Sequence, residues 1–366
     1  TNLRVMEKAL DITAITKILN KSGLLDPIRE SKSTFSHTIE TAKLLRNIIE
    51  SRFEENLTLD TIKLTIVIVQ EIQKLLIAAH PLEFALANIS KRVLSIIREQ
   101  AKFCGIPLNI ELEDRFIKKL VSFKYEPVED AENAADKKEI SSSAILEFRT
   151  SVFDALEDLI LECENLSENI NESAFNHISD NDTIITFGTS TAVASFLIEA
   201  SKKRTFEVII AENAIDNSGE KMAQTLAEKK IPAVLISDAS IYAVMSRVSK
   251  AIIGAEAIMA NGGILGTSGS LLLAMAAKAH FVPLIVIAGA YKLTPNFPFE
   301  QDTFNELLNP GSIFDRNQTP KSNNINVIIP SLDYVAPEYI SLYITNIGEH
   351  TPSYLYRLFA EYYTNQ

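Results

Sequence analysis

Apolar residues recur at helical spacing through the first third of the chain. Their three- and four-residue intervals place them on one face of a helix in each of four segments. One segment stops at His80-Pro81, because proline does not continue a helix. The predicted helices are Phe35–Phe53, Leu59–Ala79, Ala85–Phe103 and Ile110–Lys124. Since strand and glycine-turn signals are nearly absent here, this region predicts a helical bundle.

Residues 126–143 interrupt the helical pattern. The segment is rich in acidic residues, has few large apolar ones and ends in Ser141-Ser142-Ser143. Such a composition predicts an exposed linker or mobile loop. Helical spacing returns over Ala144–Ile170. We therefore assign residues 1–170 to a helical domain that contains this acidic linker or loop.

From Asp182 onwards, short β-branched runs alternate with stretches of helical spacing. The predicted strands are Thr183–Phe187, Glu207–Ala211, Ala233–Ile236, Ala251–Ile253, Leu284–Ala288 and Asn326–Ile329. The predicted helices are Thr191–Lys202, Gly219–Lys229, Ser240–Val248 and Ser268–Ala279. Wholly apolar strands indicate a parallel sheet covered on both faces. The predicted fold class is α/β, with an N-terminal helical bundle followed by a mostly parallel α/β domain over residues 171–366.

The composition narrows the functional classes. The 366 residues suit two domains, and 35 basic against 47 acidic residues give a net charge of −12, which does not attract phosphate backbones. Two separated cysteines form no disulfide framework, and five scattered histidines offer no zinc-ligand spacing. The apolar runs are shorter than the ~20 residues that cross a bilayer, and no signal-peptide pattern opens the chain. We expect a cytoplasmic protein without metal, cofactor, direct nucleic-acid contact or membrane attachment.

Two predicted strands are followed by residues of types that can bind an anion, cap a helix or transfer a proton. Gly188-Thr189-Ser190 follows the first strand, where the next helix N-terminus suits an anion and the hydroxyls suit capping. A plain strand-to-helix turn needs the same residue types. Asp238 follows the third strand, where it is a natural N-cap and, if it faces a cleft, a general acid or base.

The segment Asn261–Ser270 is the most glycine-dense stretch of the chain. Backbone N–H groups in such a loop can cradle a phosphate, but the segment lacks the Gly-Lys-Ser/Thr ending of a P-loop. A close-packed loop between sheet and helix is the other interpretation, and the residues alone leave both open. A nucleotide-binding dehydrogenase is disfavoured, because only Gly188 stands where its glycine fingerprint belongs.

Lys91, Arg92 and Arg98 form a basic face on the third predicted helix. In an acidic chain such a face suits contact with an acidic partner. The alternative is an ordinary solvated face of a helical bundle.

Several segments resemble a known family. They are Asn88–Glu99, Asp238–Lys250, Ile252–Glu256, Ala260–Gly263, Ala276–His280, Pro283–Val286, Lys292–Pro298, Asp333–Glu338, Ile344–Gly348 and Pro352–Leu358. They resemble the alpha, beta and delta regulatory subunits of the guanine-nucleotide exchange factor for eukaryotic translation initiation factor two. The C-terminal segments are similar to the beta subunit in particular. The resemblance covers most of the chain and is weakest over residues 1–30 and 100–145.

This resemblance implies a Rossmann-like C-terminal domain and a non-catalytic regulatory role. In the family, beta pairs with delta through the C-terminal domains, and two such pairs join an alpha dimer. Gamma and epsilon subunits attach outside, and epsilon carries the exchange activity. The regulatory core senses phosphorylation of the alpha subunit of initiation factor two. The implied partners are therefore the alpha, gamma, delta and epsilon subunits and the initiation factor.

Sugar-phosphate aldose–ketose isomerases have the same fold and are the main alternative. Asp238 matches their aspartate, but Thr186–Thr189 stands where their cysteine motif belongs, and no cysteine follows Cys163. A hydroxyl titrates far above a thiol's pKa of ~8.5, so Thr189 or Ser190 is a poor replacement. Because half of the acid–base pair is missing, we predict that the chain is not an enzyme. Asp238 is then interpreted as a helix cap.

The predicted site residues fall into three groups. A relic phosphate pocket comprises Gly188, Thr189, Ser190, Asp238, Asn261, Gly262, Gly263, Thr267 and Ser268. A subunit interface comprises Asn346, Gly348, Pro352, Ser353, Tyr354 and Arg357, because Tyr and Arg are enriched at interface centres. A contact with the initiation factor comprises Lys91, Arg92 and Arg98. A free-standing scaffold is a further alternative, which recovery of the native partners distinguishes.

Overall fold

A computed structural model describes residues 34–55, 57–106, 142–298, 304–309 and 326–364. These residues divide into two compact units. The helical unit runs to Glu164 and includes the chain from Phe359, and the α/β unit is Asn165–Leu358. The predicted helix Ile110–Lys124, residues 1–33 and the acidic stretch up to residue 141 lie outside the described residues.

Four long helices build the helical unit. They are α1 (Thr34–Glu55), α2 (Leu59–Ala79), α3 (Phe84–Phe103) and α4 (Ser142–Glu164). Thr58 caps α2 by accepting a hydrogen bond from the Thr61 amide, and His80 ends the helix before Pro81. The apolar stripes meet in one core, whose fully buried members include Leu45, Ile49, Phe53, Ile66, Ile72, Val93, Ile97 and Phe148. The predicted ends of α1, α2 and α3 are confirmed to within two residues.

The helix predicted over Ala144–Ile170 is broken in the structure. The chain interrupts α4 at Asn165 and restarts as α5 (Leu166–Glu172), followed by the single turn α6 (Ala174–His177). The carbonyl of Asn165 accepts the amides of Glu168 and Asn169, which is the bonding of a helix start. Asparagine is a residue type favoured at the N-cap position. The break was not predicted, because the apolar spacing continues across it.

A seven-stranded sheet forms the centre of the α/β unit. Its strands are β1 (Thr183–Phe187), β2 (Glu207–Ala211), β3 (Ala233–Ile236), β4 (Lys250–Gly254), β7 (Leu284–Ile287), β9 (Leu342–Thr345) and β10 (Gly348–His350). They lie in the order β10-β9-β7-β4-β1-β2-β3. All neighbours are parallel except β10, which runs antiparallel to β9. The predicted mostly parallel sheet is confirmed.

Helices and turns connect these strands. They are α7 (Thr191–Ser201), α8 (Ser218–Glu228), α9 (Ile241–Val244), α10 (Ser270–Ala279) and α11 (Pro352–Thr364). The continuous helix predicted over Ser240–Val248 is wrong. Only one α-helical turn forms there, between 3-10 turns at Asp238–Ser240 and Met245–Arg247, because i→i+3 bonds tighten both ends.

A second, antiparallel sheet was not predicted. It consists of β5 (Ala257–Ile258), β6 (Ile264–Thr267) and β8 (Leu332–Val335). Four of the ten residues in the glycine-dense stretch Asn261–Ser270 therefore form the strand β6. Within it, Gly266 lets Ser270 approach β6 closely. The strand predicted over Asn326–Ile329 is wrong: Leu308 donates to the carbonyl of Ile329, and Pro330, which has no N–H, forms an isolated bridge with Leu307.

Candidate functional site

The turn Gly188–Ser190 follows β1, between the ends of β2 and β4. Gly188 has a φ of +56°, and a Cβ at this position would lie 2.9 Å from Ser218 Oγ. Ser190 takes the N-cap position of α7, and its Oγ would lie 2.5 Å from a Cβ at Gly254. Gly188 and Gly254 thus permit a closely packed turn rather than an open cradle.

Asp238 is tied to the loop that follows β2. One carboxylate oxygen accepts the Asn213 amide at 3.0 Å, and the other accepts the Ala214 amide at 2.8 Å. Ser237, not Asp238, precedes the 3-10 turn. The predicted helix-capping role is therefore wrong, because the carboxylate reaches across to the neighbouring loop. The structure brings Asp238 near Gly188 only through Asn213, which lies between them.

The N-terminus of α10 already holds an anion of the chain itself. The amides of Gly269 and Leu271 donate to Asp333 Oδ2 at 2.7 and 3.2 Å. Helix N-termini favour negative charge because their first N–H groups lack helical partners. A phosphate at this terminus would compete with Asp333. Sequence reasoning missed Asp333 because it lies 64 residues from Gly269.

Thr267 and Ser268, assigned to the pocket from sequence, directly precede this helix start. Thr267 ends β6 opposite Leu332, and the Ser268 amide donates to the carbonyl of Ser331 at 3.1 Å. Their backbone therefore continues the second sheet. Their role in a phosphate pocket stays a prediction.

Asn261–Gly263 is held by tyrosines from both sheets. Asn261 Nδ2 donates to Tyr334 Oη at 2.7 Å, and Tyr343 Oη donates to the Gly262 carbonyl at 2.7 Å. Burial raises the pKa of Tyr343 well above its ordinary value, and it raises the pKa of Tyr334 despite the opposing hydrogen bond from Asn261. Both phenols are therefore neutral hydrogen-bonding groups. A Cβ at Gly262 would lie 2.6 Å from the carbonyl of Pro352, so this loop meets the predicted interface.

Lys292 is a cation at the carboxyl ends of β4 and β7 that sequence reasoning did not single out. Its Nζ donates to the Ala255 carbonyl at 2.7 Å and lies 3.7 Å from Glu256 Oε2. Burial acts to lower the pKa of Lys292, but the charges of Glu256 and Tyr291 and the side-chain interaction with Glu256 together outweigh it, and the pKa lies above its ordinary value. The ammonium is thus a fixed positive charge rather than a proton carrier.

Residues 346–357, the tail, carry the predicted interface positions. Asn346 serves the interior, because its Oδ1 accepts the Ala290 amide at 2.8 Å. Gly348 is exposed on the edge strand β10, Pro352 is half-buried, and Ser353 is exposed and bonded to Thr351. The remaining positions, Tyr354 and Arg357, are exposed.

An aromatic stack organises the surface of the tail. The ring of His350 lies parallel to that of Tyr354 at 5.3 Å, and the Arg357 guanidinium lies 5.9 Å from the Tyr354 ring. Burial lowers the pKa of His350, so the imidazole is neutral at physiological pH. This tail stack of His350, Tyr354 and Arg357 presents aromatic and cationic groups of the kind enriched at interface centres.

Large apolar side chains are also exposed on the α/β unit. On the edge strand β3, Val234 and Leu235 are 41 % and 42 % exposed, although they point to opposite faces of the sheet. Phe281 is 95 % exposed and has a φ of +59°, which a bulky residue rarely adopts. Along α9 and α10, Tyr242, Leu272 and Met275 add to the exposed apolar area. Such exposure is typical of surfaces that another protein covers.

In the helical unit, none of the three predicted initiation-factor residues is fully exposed. Lys91, Arg92 and Arg98 are each half-buried, and Arg92 lies 3.8 Å from Glu99. An ordinary solvated helix face therefore describes these three side chains incompletely, because the protein partly covers each of them. Their contact with a partner stays a prediction.

A groove of about 380 Å³ lies between α1 and α4 of the same unit. The ion pairs Lys43–Glu164 and Arg46–Glu157, each 2.7 Å long, lie along it. Each cation already faces a carboxylate, so the groove offers no excess charge to an ionic ligand.

Two broader properties concern the described parts of the chain. None of the helices in those ranges is long and apolar enough to cross a membrane. The same ranges contain no group of three His, Cys, Asp or Glu side chains placed to hold a metal ion.

Cys163 lies in α4, where burial and the nearby carboxylates of Glu162 and Glu164 raise the pKa of its thiol to about 12.

Together, the helical unit and the mostly parallel sheet define a Rossmann-like α/β protein with an N-terminal helical domain. The chain belongs to the initiation factor 2 subunit family, whose model matches residues 30–352.

Two relatives carry the name translation initiation factor eIF2B subunit beta. The protein from Dictyostelium discoideum is 39 % identical over 326 residues, which cover 80 % of this chain and 82 % of the relative. The protein from Schizosaccharomyces pombe is 31 % identical over 373 residues, with 92 % and 93 % coverage. The chain is therefore similar to beta subunits over nearly their whole length.

Solved structures show the same fold. The crystal structure of eIF2B beta from Chaetomium thermophilum matches with a TM-score of 0.69 at 23 % identity, covering 95 % of this chain and 92 % of that chain. A chain of the tetrameric eIF2B-beta2-delta2 complex from the same organism matches with a TM-score of 0.66 at 23 % identity, covering 95 % of each.

Proposed function

We propose that the chain is a beta-type regulatory subunit of the exchange factor for initiation factor two and that it works by assembly rather than catalysis. The observation that carries this proposal is that two carboxylates of the α/β unit are already bonded within the protein. The carboxylates of Asp238 and Asp333 are both bonded to backbone amides of their own domain. The resemblance to isomerases implies that the aspartate at the position of Asp238 would serve the substrate in such an enzyme. The similarity to beta subunits over most of the chain supports the same conclusion.

Thiol chemistry is also missing from this edge of the sheet. Both cysteines, Cys104 and Cys163, precede the α/β unit in the sequence. A thiol with a pKa of about 12, as in Cys163, is almost wholly protonated at neutral pH and is a weak nucleophile. An isomerase remains the second candidate only because Asp238 occupies the expected strand end.

A delta-type subunit is the proposed partner of the α/β unit. The related beta chain crystallised in a complex with delta. In this chain, the tail stack and the exposed side chains of β3 are the surfaces suited to such pairing. Aromatic and arginine side chains contribute most at interface centres, while apolar edge strands require cover to avoid aggregation. We further propose that an alpha subunit completes the regulatory core.

The outer partners follow from the family role. We propose that gamma and epsilon subunits attach to this core in the cytoplasm. We also propose that the core senses phosphorylation of the initiation factor's alpha subunit, and that Lys91, Arg92 and Arg98 take part in that contact. A phosphate group adds negative charge, which a basic face attracts. Half-burial of the three side chains supports a pre-organised contact, because fewer rotamers are lost on binding.

Substitution of Arg357 by alanine tests the interface. We expect at least a tenfold rise in Kd for a delta-type subunit of the same organism, because the change removes the cation from the tail stack. Titration calorimetry, in which the separately purified delta-type subunit is added to the chain, measures this Kd. Tyr356→Ala is the matched control, since Tyr356 is exposed on the same helix outside the stack and should shift Kd less than threefold. A chain that never binds the delta-type subunit contradicts the proposed function, whereas equal effects of the two variants contradict only the interface.

A further inference from the structure

The segment Asn261–Gly263 belongs to the candidate phosphate cradle, yet the amide hydrogens of its two glycines are already used. The Gly262 amide donates to the Met259 carbonyl at 2.9 Å, and the Gly263 amide donates to Asn261 Oδ1 at 3.0 Å. A phosphate cradle needs free N–H groups that point at the ligand. The two glycines therefore have a different purpose from the one that their sequence pattern indicates.

Close approach explains both glycines. Gly262 has a φ of +81°, and a Cβ there would lie 2.6 Å from the carbonyl of Pro352, the first residue of α11. A Cβ at Gly263 would lie 2.6 Å from the Tyr334 ring and 2.9 Å from the Val335 carbonyl. Only glycine lets this backbone contact the start of α11 on one side and β8 on the other.

Hydrogen bonds fix the loop in this place. Tyr343 is fully buried on β9 and donates to the Gly262 carbonyl. Tyr334 on β8 accepts a hydrogen bond from the side-chain amide of Asn261. The loop therefore connects the seven-stranded sheet, the three-stranded sheet and the first turn of α11. That turn carries Tyr354 and leads directly to Arg357, the exposed members of the tail stack.

We infer that Asn261–Gly263 is a positioning element, which sets the start of α11 so that the tail stack is presented to the partner subunit. This inference rests on the proposed function and adds a set of residues that govern partner affinity from behind the interface. The loop acts through Pro352, since rigid placement of interface side chains lowers the entropy lost on binding. The expected partner is the delta-type subunit that contacts the tail.

Gly262→Ala tests this positioning. The added methyl group pushes against the Pro352 carbonyl, so we expect faster hydrogen exchange of the amides in residues 353–358 and at least a tenfold rise in Kd for the delta-type subunit. Mass spectrometry of deuterated peptides and titration calorimetry measure the two effects. Gly105→Ala is the matched control, because Gly105 also has a positive φ, +68°, but a Cβ there meets nothing within 4 Å. The control should change neither quantity.

Tyr343→Phe is the milder companion variant, because it removes only the hydroxyl that holds the Gly262 carbonyl. We expect a smaller rise in Kd, about threefold to tenfold, with a cooperative unfolding transition preserved. Unchanged Kd in both variants overturns the inference while leaving the proposed function intact, provided that Arg357→Ala weakens binding. Absence of binding by the wild-type chain overturns the proposed function and the inference together.

Discussion

Replacing Phe53 by alanine is expected to destabilise the helical unit by about 3–5 kcal/mol, the usual cost of removing a buried ring. Phe53 is 1 % exposed, and its ring lies 6.0 Å from those of both Phe148 and Phe153. The substitution therefore leaves a cavity where α1 meets α4. Urea unfolding, followed by hydrogen exchange of peptides from α1 and α4, measures the loss locally.

Phe103→Ala is the matched control for this prediction. Phe103 ends α3 and is 78 % exposed, so its removal creates no cavity and should change the free energy of unfolding by less than about 0.5 kcal/mol. A loss below 1 kcal/mol for Phe53→Ala would show that the packing described here does not hold the helical unit together.

Asp333→Ala is expected to destabilise the α/β unit by about 2 kcal/mol. The change leaves the amides of Gly269 and Leu271 without their acceptor and removes a negative charge from the N-terminus of α10. Caps of this kind typically contribute ~0.5–2 kcal/mol, and unsatisfied donors cost ~1–3 kcal/mol. Thermal unfolding of the purified chain, with exchange of α10 peptides, measures the effect.

Glu338→Ala provides the comparison for Asp333→Ala. Glu338 pairs with Lys278 of α10 at 3.0 Å, but both side chains are largely exposed, and such surface pairs contribute ~0–1 kcal/mol. If the two variants lose equal stability, Asp333 does not stabilise the N-terminus of α10. That helix N-terminus would then be open to a phosphate.

The elements most accurately predicted from sequence are those with local signals. The helix α2 and the strands β1, β2 and β3 have the predicted ends, because apolar periodicity and flanking breakers are read within one segment. The strands β5, β6, β8, β9 and β10 were missed. They have two to four residues each, and β6 and β8 are stabilised by antiparallel partners distant in sequence, so no local pattern marks them.

The candidate site was less accessible to sequence reasoning for the same reason. Glycine density correctly drew attention to Asn261–Gly263, yet the partners that give the loop its purpose, Tyr334 and Tyr343, lie 73 and 81 residues away. Asp238 was expected to cap its own helix, but its carboxylate bonds to a loop 24 and 25 residues earlier. Composition identified the residue types, and only tertiary structure determined which groups were already bonded.

The most direct test of assembly without catalysis is a turnover assay on the purified chain, alone and with its delta-type partner. Ribose-1,5-bisphosphate and methylthioribose-1-phosphate are the substrates, and nuclear magnetic resonance detects any ketose product. The account predicts no product above a heat-denatured sample in either state, because the carboxylates of Asp238 and Asp333 are bonded internally and no thiol is present in the α/β unit. Ketose formation that Asp238→Asn abolishes would contradict it.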